Sequence, residues 1–410
     1  MKIQPIRGTH DLFGNEIKKY NQIKEEVNSI ANNFNFSELQ TPIFESSNLF
    51  FKPLGEQSDV VLKEMYTFVD RGGDSLTLRP EYTTPMIRAA IFNNLLNILP
   101  CKVFGVGPMF RRERPQKGRY RQFNQINFEN FGTENPFADV EIILLAKNLL
   151  SNLLPKIDIK LQINTLGDRS TLKKFKKELT NFFNKNSQLL SKESKNKIFT
   201  NPLRILDSKN EDDKKLILQA PVIKEFINSK AVDHYDSVKN SLNNLNIEYI
   251  EQNSLVRGLD YYCHTVFEFK TSSLGSQDTL IGGGRYDGLI KTLGGKDLPG
   301  VGWAGGIERI AMLMDDVKLN TSSIHFAILD EKFKDHALVA YNLLSKNNFS
   351  VYWNFKYNLK KSLSTANSAQ AMYLVIIGED EFNKKKFTVK NLKSSEQTLE
   401  DIDNIISLLK

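Results

Sequence analysis

The stretch from Phe110 to Gly132 constrains the fold most, because it predicts two β-strands joined by a basic loop. We expect the incoming strand over about 102–112 and the outgoing strand from Gln122. The loop over about 113–121 contains a proline and a glycine, which are the residues that tight turns favour. The stretch therefore predicts a β-hairpin whose two strands continue into a larger sheet.

The outgoing strand has one polar face and one apolar face, because side chains alternate along a strand. The apolar face carries Ile126 and Phe128. The other face carries an aromatic ring, two amides and a carboxylate, contributed by Phe123, Gln125, Asn127 and Glu129. A carboxylate and an amide on one face can hold a small polar molecule by directed hydrogen bonds.

The loop adds a dense group of cations to that polar face. Arg111 comes just before the loop, and the basic residues of the loop are Arg112, Arg114, Lys117, Arg119 and Arg121. Guanidinium groups bind phosphate oxygens in a fork geometry, and an aromatic face can stack on a base. The pattern is thus consistent with a nucleotide site, but a surface hairpin with a solvated basic turn stays open on spacing alone.

The residues of this stretch resemble motif 2 of the histidyl-tRNA synthetases, a class II family. The matching pattern is Phe-Arg-x-Glu-Arg-Pro-Gln-Lys-Gly-Arg-Tyr-Arg-Gln-Phe-x-Gln-x-x-x-Glu-x-x-Gly, over 110–132. Further segments resemble the same family: Gln-Pro-Ile-Arg-Gly-Thr-x-Asp at 4–11, Arg-Pro-Glu-x-Thr at 79–83, Arg-Gly-Leu-Asp-Tyr-Tyr at 257–262 and Gly-Gly-Ile-Glu-Arg-Ile, like motif 3, at 305–310. The resemblance covers nearly the whole chain and is weakest between about 170 and 250.

Length and composition agree with a soluble enzyme of this kind. A chain of 410 residues suggests two or three domains, and its net charge of +7 is compatible with a polyanionic partner. Two cysteines are too few for a disulfide framework or a cysteine-rich zinc site. The N-terminus has no apolar run, and the most apolar stretch, 142–154, is too short to span a bilayer. We therefore expect a cytoplasmic protein without membrane contact.

The resemblance implies an α+β fold. It implies a class II synthetase catalytic domain, residues 1–320, built on an antiparallel sheet flanked by helices, with a helical insertion at about 170–245. Residues 323–410 would form an anticodon-binding α/β domain, and their alternating strand and helix patterns independently predict a small parallel or mixed sheet. A strand carrying Pro42 fits only a sheet edge, and its likeness to motif 1 implies a homodimer.

The resemblance also implies roles for single residues. Arg111 and Arg257 would flank the α-phosphate of ATP as catalytic residues. The other ATP-binding residues would be Glu113, near adenine or Mg²⁺, Arg119, Phe123, stacked on adenine, and Arg309, at the γ-phosphate. L-histidine would be bound by Glu81, Thr83, Gln125, Glu129, Tyr261, Tyr262 and Tyr286. Arg114 and Gln116 would meet the acceptor end of tRNA(His). No protein motif for a metal is present, so Mg²⁺ would enter with ATP. The family often has Gly where this chain has Asn127, and His264 receives no role.

Several of these residues have simpler explanations that the residue pattern leaves open. Glu81 and Thr83 could cap a helix, and Arg257 could pair with Asp260 in its own loop. Two other functional classes also remain. One is a non-catalytic paralogue that regulates an enzyme of histidine biosynthesis, and the other is a basic RNA-binding protein. The first would lack the C-terminal domain and the arginines, and the second would not need Glu81, Gln125 and Glu129 facing one pocket.

Overall fold

Six antiparallel strands form the centre of an eight-stranded sheet in a computed structural model of the protein. The structure describes residues 3–55, 58, 60–275, 278–317 and 323–409. The chain divides into two compact units, Met1–Asp316 and Val317–Lys410.

The strands of the first unit are β1 (Ser37–Glu38), β2 (Phe44–Ser46), β3 (Tyr66–Val69), β4 (Ser75–Leu78), β5 (Cys101–Phe110), β6 (Gln122–Phe131), β7 (Lys160–Thr165), β8 (Ile250–Glu251), β9 (Cys263–Lys270), β10 (Thr279–Arg285) and β11 (Gly300–Gly306). Its α-helices are α1 (Gly14–Asn33), α2 (Asn48–Leu54), α3 (Thr83–Phe92), α4 (Pro136–Leu153), α5 (Arg169–Lys185), α6 (Lys192–Lys197), α7 (Glu211–Ile217), α8 (Ser229–Asn244), α9 (Leu289–Thr292) and α10 (Ile307–Ala311).

The large sheet has the order β1-β5-β6-β11-β10-β9-β7-β8. Only the outermost pairs, β1 with β5 and β7 with β8, are parallel. The expected antiparallel sheet flanked by helices is therefore confirmed for its six central strands, and short parallel strands make the whole sheet mixed. A separate three-stranded sheet has the order β2-β4-β3.

The basic hairpin forms as the residue pattern predicts. Strands β5 and β6 pair along their full length, from Cys101 opposite Phe131 to Phe110 opposite Gln122. Ile126 and Phe128 are fully buried in the main core, against which α1 and α4 pack. This packing leaves the polar face of β6 on the opposite side of the sheet, where the pocket described below lies.

The expectation of a strand that carries Pro42 is wrong. The chain leaves the large sheet after β1 and enters the small sheet at β2, and Pro42 lies between the two strands. The physical reason is that proline has no N–H to donate to a strand ladder. Strand β1 is nevertheless an edge strand of the large sheet, as β2 is of the small one.

The region 170–245 is helical, but part of it packs into the core of the first unit. Helix α8 buries Tyr235, Val238 and Leu242 in the same cluster as the apolar face of α4. Helix α5 buries Phe175, Leu179 and Phe183 in a second cluster that also contains Tyr262 and Tyr286. None of the helices in the described residues is both long and apolar enough to cross a membrane.

The second unit contains β12 (Ser323–Ile328), β13 (Ser350–Trp353), β14 (Tyr373–Ile377), β15 (Phe387–Asn391), β16 (Gln397–Glu400), α11 (Lys334–Lys346), α12 (Leu359–Ser368), α13 (Glu379–Lys384) and α14 (Ile402–Leu409). Its sheet has the order β13-β12-β14-β15-β16. The first three of these strands are parallel and the last two pair antiparallel, so the predicted mixed α/β domain forms. Its core is a cluster of its own, centred on Phe326, Leu344 and Ile377.

Candidate active site

A pocket of about 370 Å³ opens on the polar face of the large sheet. Strand β6, the basic loop before it, the loop 257–262, strand β10 and helix α10 enclose it. The predicted site residues that line this pocket are Glu81, Thr83, Arg111, Glu113, Arg119, Phe123, Gln125, Arg257, Tyr261, Tyr262 and Arg309. Segments that lie far apart in the chain thus contribute side chains to one cavity.

Glu129 lies fully buried behind the pocket wall and is held by three donors. Its Oε1 accepts hydrogen bonds from Thr83 Oγ1 at 2.7 Å and Asn127 Nδ2 at 3.2 Å. Its Oε2 accepts one from the Tyr286 hydroxyl. Burial outweighs these hydrogen bonds and raises the pKa of Glu129 to about 7. A carboxyl group with this pKa can exchange a proton or bind a cationic partner near neutral pH.

Asn127 supplies one of the hydrogen bonds to Glu129 and has a second buried polar atom, its amide oxygen. The side chain is 1% exposed, and its Oδ1 has no hydrogen-bond partner among the described residues. It faces the small residues Gly105 on β5 and Ala304 on β11. An asparagine therefore fits here because both neighbouring strands leave room for it.

Glu81 caps a helix and lines the pocket as well. Its two carboxylate oxygens accept hydrogen bonds from the backbone N–H groups of Thr83 at 2.8 Å and Thr84 at 2.9 Å, at the start of α3. Burial raises the pKa of Glu81, although these bonds and the charge of Arg111 oppose the shift. The simpler capping explanation is thus correct, and it also fixes this carboxylate at the pocket wall.

The basic loop orients its own cations by internal contacts. Arg111 donates from Nε to the Pro80 carbonyl at 2.7 Å, and its guanidinium lies 5.4 Å from the centre of the Phe123 ring. Arg119 pairs with Glu113 at 2.7 Å. Residues 116–119 close the turn through two backbone hydrogen bonds, of 3.1 and 2.9 Å. The arginines are therefore held before any anion binds.

Arg257 approaches the pocket from the opposite side. It does not pair with Asp260 in its own loop but forms a partly buried ion pair with Glu268 on β9. Glu268 is in turn contacted by Thr279 Oγ1 at 3.1 Å and Lys270 Nζ at 3.2 Å. A Cβ atom at Gly282 would lie 2.4 Å from the Arg257 guanidinium, so only glycine leaves this space free.

The third arginine, Arg309, projects from α10 into the same space. It donates to the carbonyl oxygens of Gly118 at 3.1 Å and Thr279 at 2.8 Å. Burial and the nearby charges of Arg119 and Arg111 lower the pKa of Arg309. The crowding of like charges creates a strongly positive region that an anionic ligand would relieve.

The remaining predicted residues lie outside the pocket lining. Tyr286 is buried with Glu129, and its ring packs edge-on against Tyr261 at 5.7 Å between centres. Arg114 and Gln116 are exposed on the basic loop. The sequence patterns do not predict a role for Glu268 or for Arg204, which lines the pocket. Arg204 lies in a region without a motif, and strand alternation alone does not reveal the partner of Glu268.

The whole arrangement suits a ligand that joins an anionic part to a small polar part. Arg111, Arg257 and Arg309 surround one portion of the cavity with positive charge, and Phe123 offers an aromatic face beside them. Glu81 lines the portion of the cavity near Tyr261 and Tyr262, and the Glu129 carboxylate lies behind the wall there, close to both tyrosines. Fixed cations of this kind stabilise charge that develops when two anionic groups react.

Comparisons with known proteins agree on one family. The family model "Histidyl-tRNA synthetase" matches residues 8–310, and the model "Anticodon binding domain" matches residues 319–410. The chain is 44% identical over 406 residues to a protein named histidine–tRNA ligase of Wolbachia pipientis wMel, with 99% of each chain covered. It is 43% identical over 410 residues to the histidine–tRNA ligase of Ehrlichia canis (strain Jake), covering 100% of this chain and 98% of that protein.

A solved structure shows the same architecture over the full length. The apo histidyl-tRNA synthetase of S. aureus matches with a TM-score of 0.82 and 30% sequence identity, and the match covers 100% of both chains. The predicted fold class and the resemblance on which it was based are therefore confirmed.

Proposed function

This chain belongs to the histidyl-tRNA synthetase family, and we propose that its pocket activates histidine with ATP and that the chain then transfers histidine to the 3′ end of tRNA(His). The observation that carries the proposal is the meeting of three arginines and the buried Glu81 carboxylate around one cavity, with the buried Glu129 carboxylate behind its wall. The first step joins a histidine carboxylate to the α-phosphate of ATP and releases pyrophosphate. Both reactants are anions, so stabilisation by cations is the main requirement.

Each arginine has a place in this step. Arg111 and Arg257 flank the α-phosphate as the catalytic residues, and Arg309 binds the γ-phosphate. Phe123 stacks on adenine, while the Glu113–Arg119 pair lies at the nucleotide end of the pocket. The support is geometric: Arg111 and Phe123 are neighbours, and Arg257 enters from the opposite wall. Glu268 must release or share Arg257 when phosphate binds, because the two are paired without ligand.

Histidine is selected by hydrogen bonds to both ends of the molecule. Glu81, Thr83 and Gln125 hold the α-amino group, while Glu129 and Tyr262 pair with the two imidazole nitrogens. Tyr261 completes the wall, and Tyr286 supports it from behind, because the Tyr286 ring packs against the rings of Tyr261 and Tyr262. A site that depends on such polar pairs rejects analogues without the ring nitrogens by about 10⁴-fold, because its own groups would be left unpaired.

Mg²⁺ enters with ATP in this scheme. The pocket lining includes the carboxylates of Glu64, Glu113 and Glu308, which are oxygen ligands of the type that Mg²⁺ prefers. Glu308 Oε1 already accepts two hydrogen bonds from Asn124, at 2.7 and 2.9 Å, and Glu113 is paired with Arg119. The phosphate oxygens would therefore supply most ligands of the ion, whose charge assists the departure of pyrophosphate.

The second step requires tRNA, and two parts of the chain suit it. Arg114 and Gln116 are exposed beside the pocket entrance and meet the acceptor end. The second unit matches an anticodon-binding family model and recognises the anticodon end. The net charge of +7 favours a polyanion. Because ATP, histidine and tRNA meet in the cytoplasm, the reaction belongs to that compartment.

A homodimer is part of the same proposal. Large apolar side chains around β2, β3 and the end of α3 are exposed: Ile43, Phe44, Phe68, Val69, Phe92, Leu95, Ile98 and Leu99. Exposed apolar groups of this number are typical of a surface that another chain covers. We expect sedimentation analysis to show a dimer, and the double variant Phe92→Glu/Ile98→Glu to shift it towards monomer. A monomeric parent protein would contradict this part of the proposal.

The deciding experiment is ATP–pyrophosphate exchange with purified protein, Mg²⁺ and each of the twenty amino acids in turn. Exchange with histidine alone would support activation and specificity together. The Arg257→Ala variant is the control, since it should fold but lose exchange. Exchange with no amino acid would contradict the proposal and favour the regulatory, non-catalytic class instead.

A further inference from the structure

A second constellation of reactive side chains lies where β9 begins and β10 ends. Cys263, His264 and Asp287 each offer a ligand atom, and these atoms lie within 4.8 Å of one another. They line a separate pocket of about 340 Å³ together with Asp168 and Arg169. A thiolate, an imidazole and a carboxylate are the three ligand types that Zn²⁺ accepts in proteins.

The backbone holds these three residues in place. His264 donates from its N–H to the Gly167 carbonyl at 2.7 Å, and its own carbonyl accepts from Leu166 N–H at 2.7 Å. The Asp287 N–H donates to Cys263 Sγ at 3.2 Å. His264 has a φ of 45°, a left-handed conformation in which histidine, asparagine and aspartate are enriched among residues other than glycine.

The side chains also retain capacity for a ligand. His264 Nδ1 is buried and has no hydrogen-bond partner among the described residues. A neutral imidazole binds a metal through a ring nitrogen lone pair, and a thiol binds it as the thiolate, so a cation at this site would displace the thiol proton of Cys263. The buried His264 Nδ1 therefore lies without a hydrogen-bond partner beside a buried thiol that accepts the Asp287 N–H.

The surrounding charges are nearly balanced. Arg285 lies 3.4 Å from Asp287, but it is bound mainly by the buried carboxylate of Asp139. Lys291 is paired with Asp297 at 2.6 Å. Arg169 lies against Gly288, so it is the cation that most opposes metal binding. One thiolate and one carboxylate would neutralise a divalent ion locally, which offsets that repulsion.

We propose that Cys263, His264 and Asp287 bind one divalent cation of the Zn²⁺ type, with water as its fourth ligand. Tetrahedral zinc places its ligand atoms about 3 to 4 Å apart, so the side chains need to close by only about 1 Å. Cys263 follows Tyr262 directly, and Asp287 follows Tyr286. The ion would therefore tie together the two strand ends that carry these pocket tyrosines.

Cobalt substitution tests this site directly. Full-length protein without a polyhistidine tag, freed of metal by a chelator, is titrated with Co²⁺ and then with competing Zn²⁺. We expect one equivalent of Co²⁺, a thiolate-to-metal charge-transfer band, visible bands of tetrahedral cobalt, and loss of all of them on addition of Zn²⁺. Zn²⁺ should also raise the thermal midpoint, since it binds only the folded chain.

Matched variants make the outcome decisive. His264→Asn keeps a residue that tolerates the left-handed backbone, and Asp287→Asn keeps an acceptor for the Gly300 N–H. Both should weaken Co²⁺ binding at least about tenfold without unfolding the protein. Cys101→Ser, which changes the other free cysteine, should leave the bands unchanged. Absence of a thiolate band in the parent protein, or full binding by His264→Asn, would overturn the proposal.

Discussion

Glu129 is a carboxylate whose burial destabilises the folded chain and which the proposed function uses to bind the histidine imidazole. It is 1% exposed and its donors, Thr83, Asn127 and Tyr286, are all neutral. A buried carboxylate without a cationic partner is unfavourable, and its raised pKa reflects that cost. Within the proposed function, a histidine imidazole supplies the missing N–H donor or positive charge.

The Glu129→Ala variant tests whether Glu129 binds the histidine imidazole. We expect the KM for histidine to rise about 10- to 100-fold, because a hydrogen bond to a charged group is lost from a buried site. The KM for ATP should stay nearly constant, since Arg111, Phe123 and Arg309 are unchanged. Pyrophosphate exchange at varied histidine and varied ATP measures both constants. An equal rise in both would remove Glu129 from the imidazole site.

The Glu129→Gln variant tests how much the buried carboxylate lowers the free energy of unfolding. The folded chain binds a proton at Glu129 with a pKa of about 7, against an ordinary value of 4.5. The stabilising contribution of that proton is complete below pH 4.5 and is lost as the pH rises through about 7, a change of about 3 kcal/mol. Glutamine does not titrate, so the variant should gain stability relative to the parent between about pH 5 and about pH 8. Denaturant unfolding of both proteins over this pH range is the measurement. If the difference in their free energy of unfolding did not change with pH, Glu129 would have an ordinary pKa.

Sequence patterns predict some of these residues and not others. The alternation along β6 correctly places Gln125 and Glu129 on one face, because the two-residue period is a property of any strand. It could not show that Glu129 lies behind the wall while Gln125 lines the pocket, since this depends on β11 and α3. The Arg257–Glu268 pair was missed for the same reason, as it joins a loop to a strand.

At the scale of elements, β10 makes room for Arg257 because its glycines have no side chains. Gly282 to Gly284 leave space on both sides of the strand, but the neighbours differ. A Cβ at Gly283 would lie 2.2 Å from the Gly302 carbonyl, which is backbone and cannot yield. A Cβ at Gly282 would meet only the end of the flexible Arg257 side chain. A side chain at Gly283 would therefore disrupt the sheet, whereas one at Gly282 would displace the Arg257 side chain.

The Gly282→Ala variant separates these effects. We expect a folded protein whose exchange rate falls about 100-fold, because Arg257 is displaced from its place in the pocket. Gly306→Ala is the comparison variant in the same pocket, since a Cβ there leaves Arg257 in place and has its nearest neighbour, the Arg309 side chain, at an ordinary contact distance of 3.9 Å. Circular dichroism and exchange kinetics on both variants provide the measurement. Full activity of Gly282→Ala would mean that Arg257 is not needed where the structure has it.

Elements with a strong local signal were the most predictable from sequence. The hairpin of β5 and β6 and the strands β12 to β14 follow from periodicity and turn residues. Strands β15 and β16 lie outside the segments predicted as strands, although the buried Phe387 and Val389 alternate with polar residues as in an ordinary strand. The packing of α8 onto α4 was also missed, since the amphipathic pattern of a helix does not identify its partner.

At the scale of the molecule, the two units have separate cores. The clusters of the first unit end at Met314, and those of the second begin at Ile324. The pocket is lined entirely by residues of the first unit. Each unit therefore has an apolar core of its own, and none of the second unit's described residues lines the pocket.

A chain that ends at Val317 should consequently separate the two proposed steps. We expect it to fold and to keep histidine-dependent pyrophosphate exchange within about twofold, because its pocket and core are complete. Its transfer of histidine to tRNA should fall at least about tenfold, since the contacts of the second unit with tRNA, worth more than about 1.4 kcal/mol, would be lost. The full-length chain assayed in parallel is the control. If exchange and transfer fell together while the shortened chain remained folded, the second unit would be supporting the pocket, and the assignment of tRNA binding to it would lose its basis.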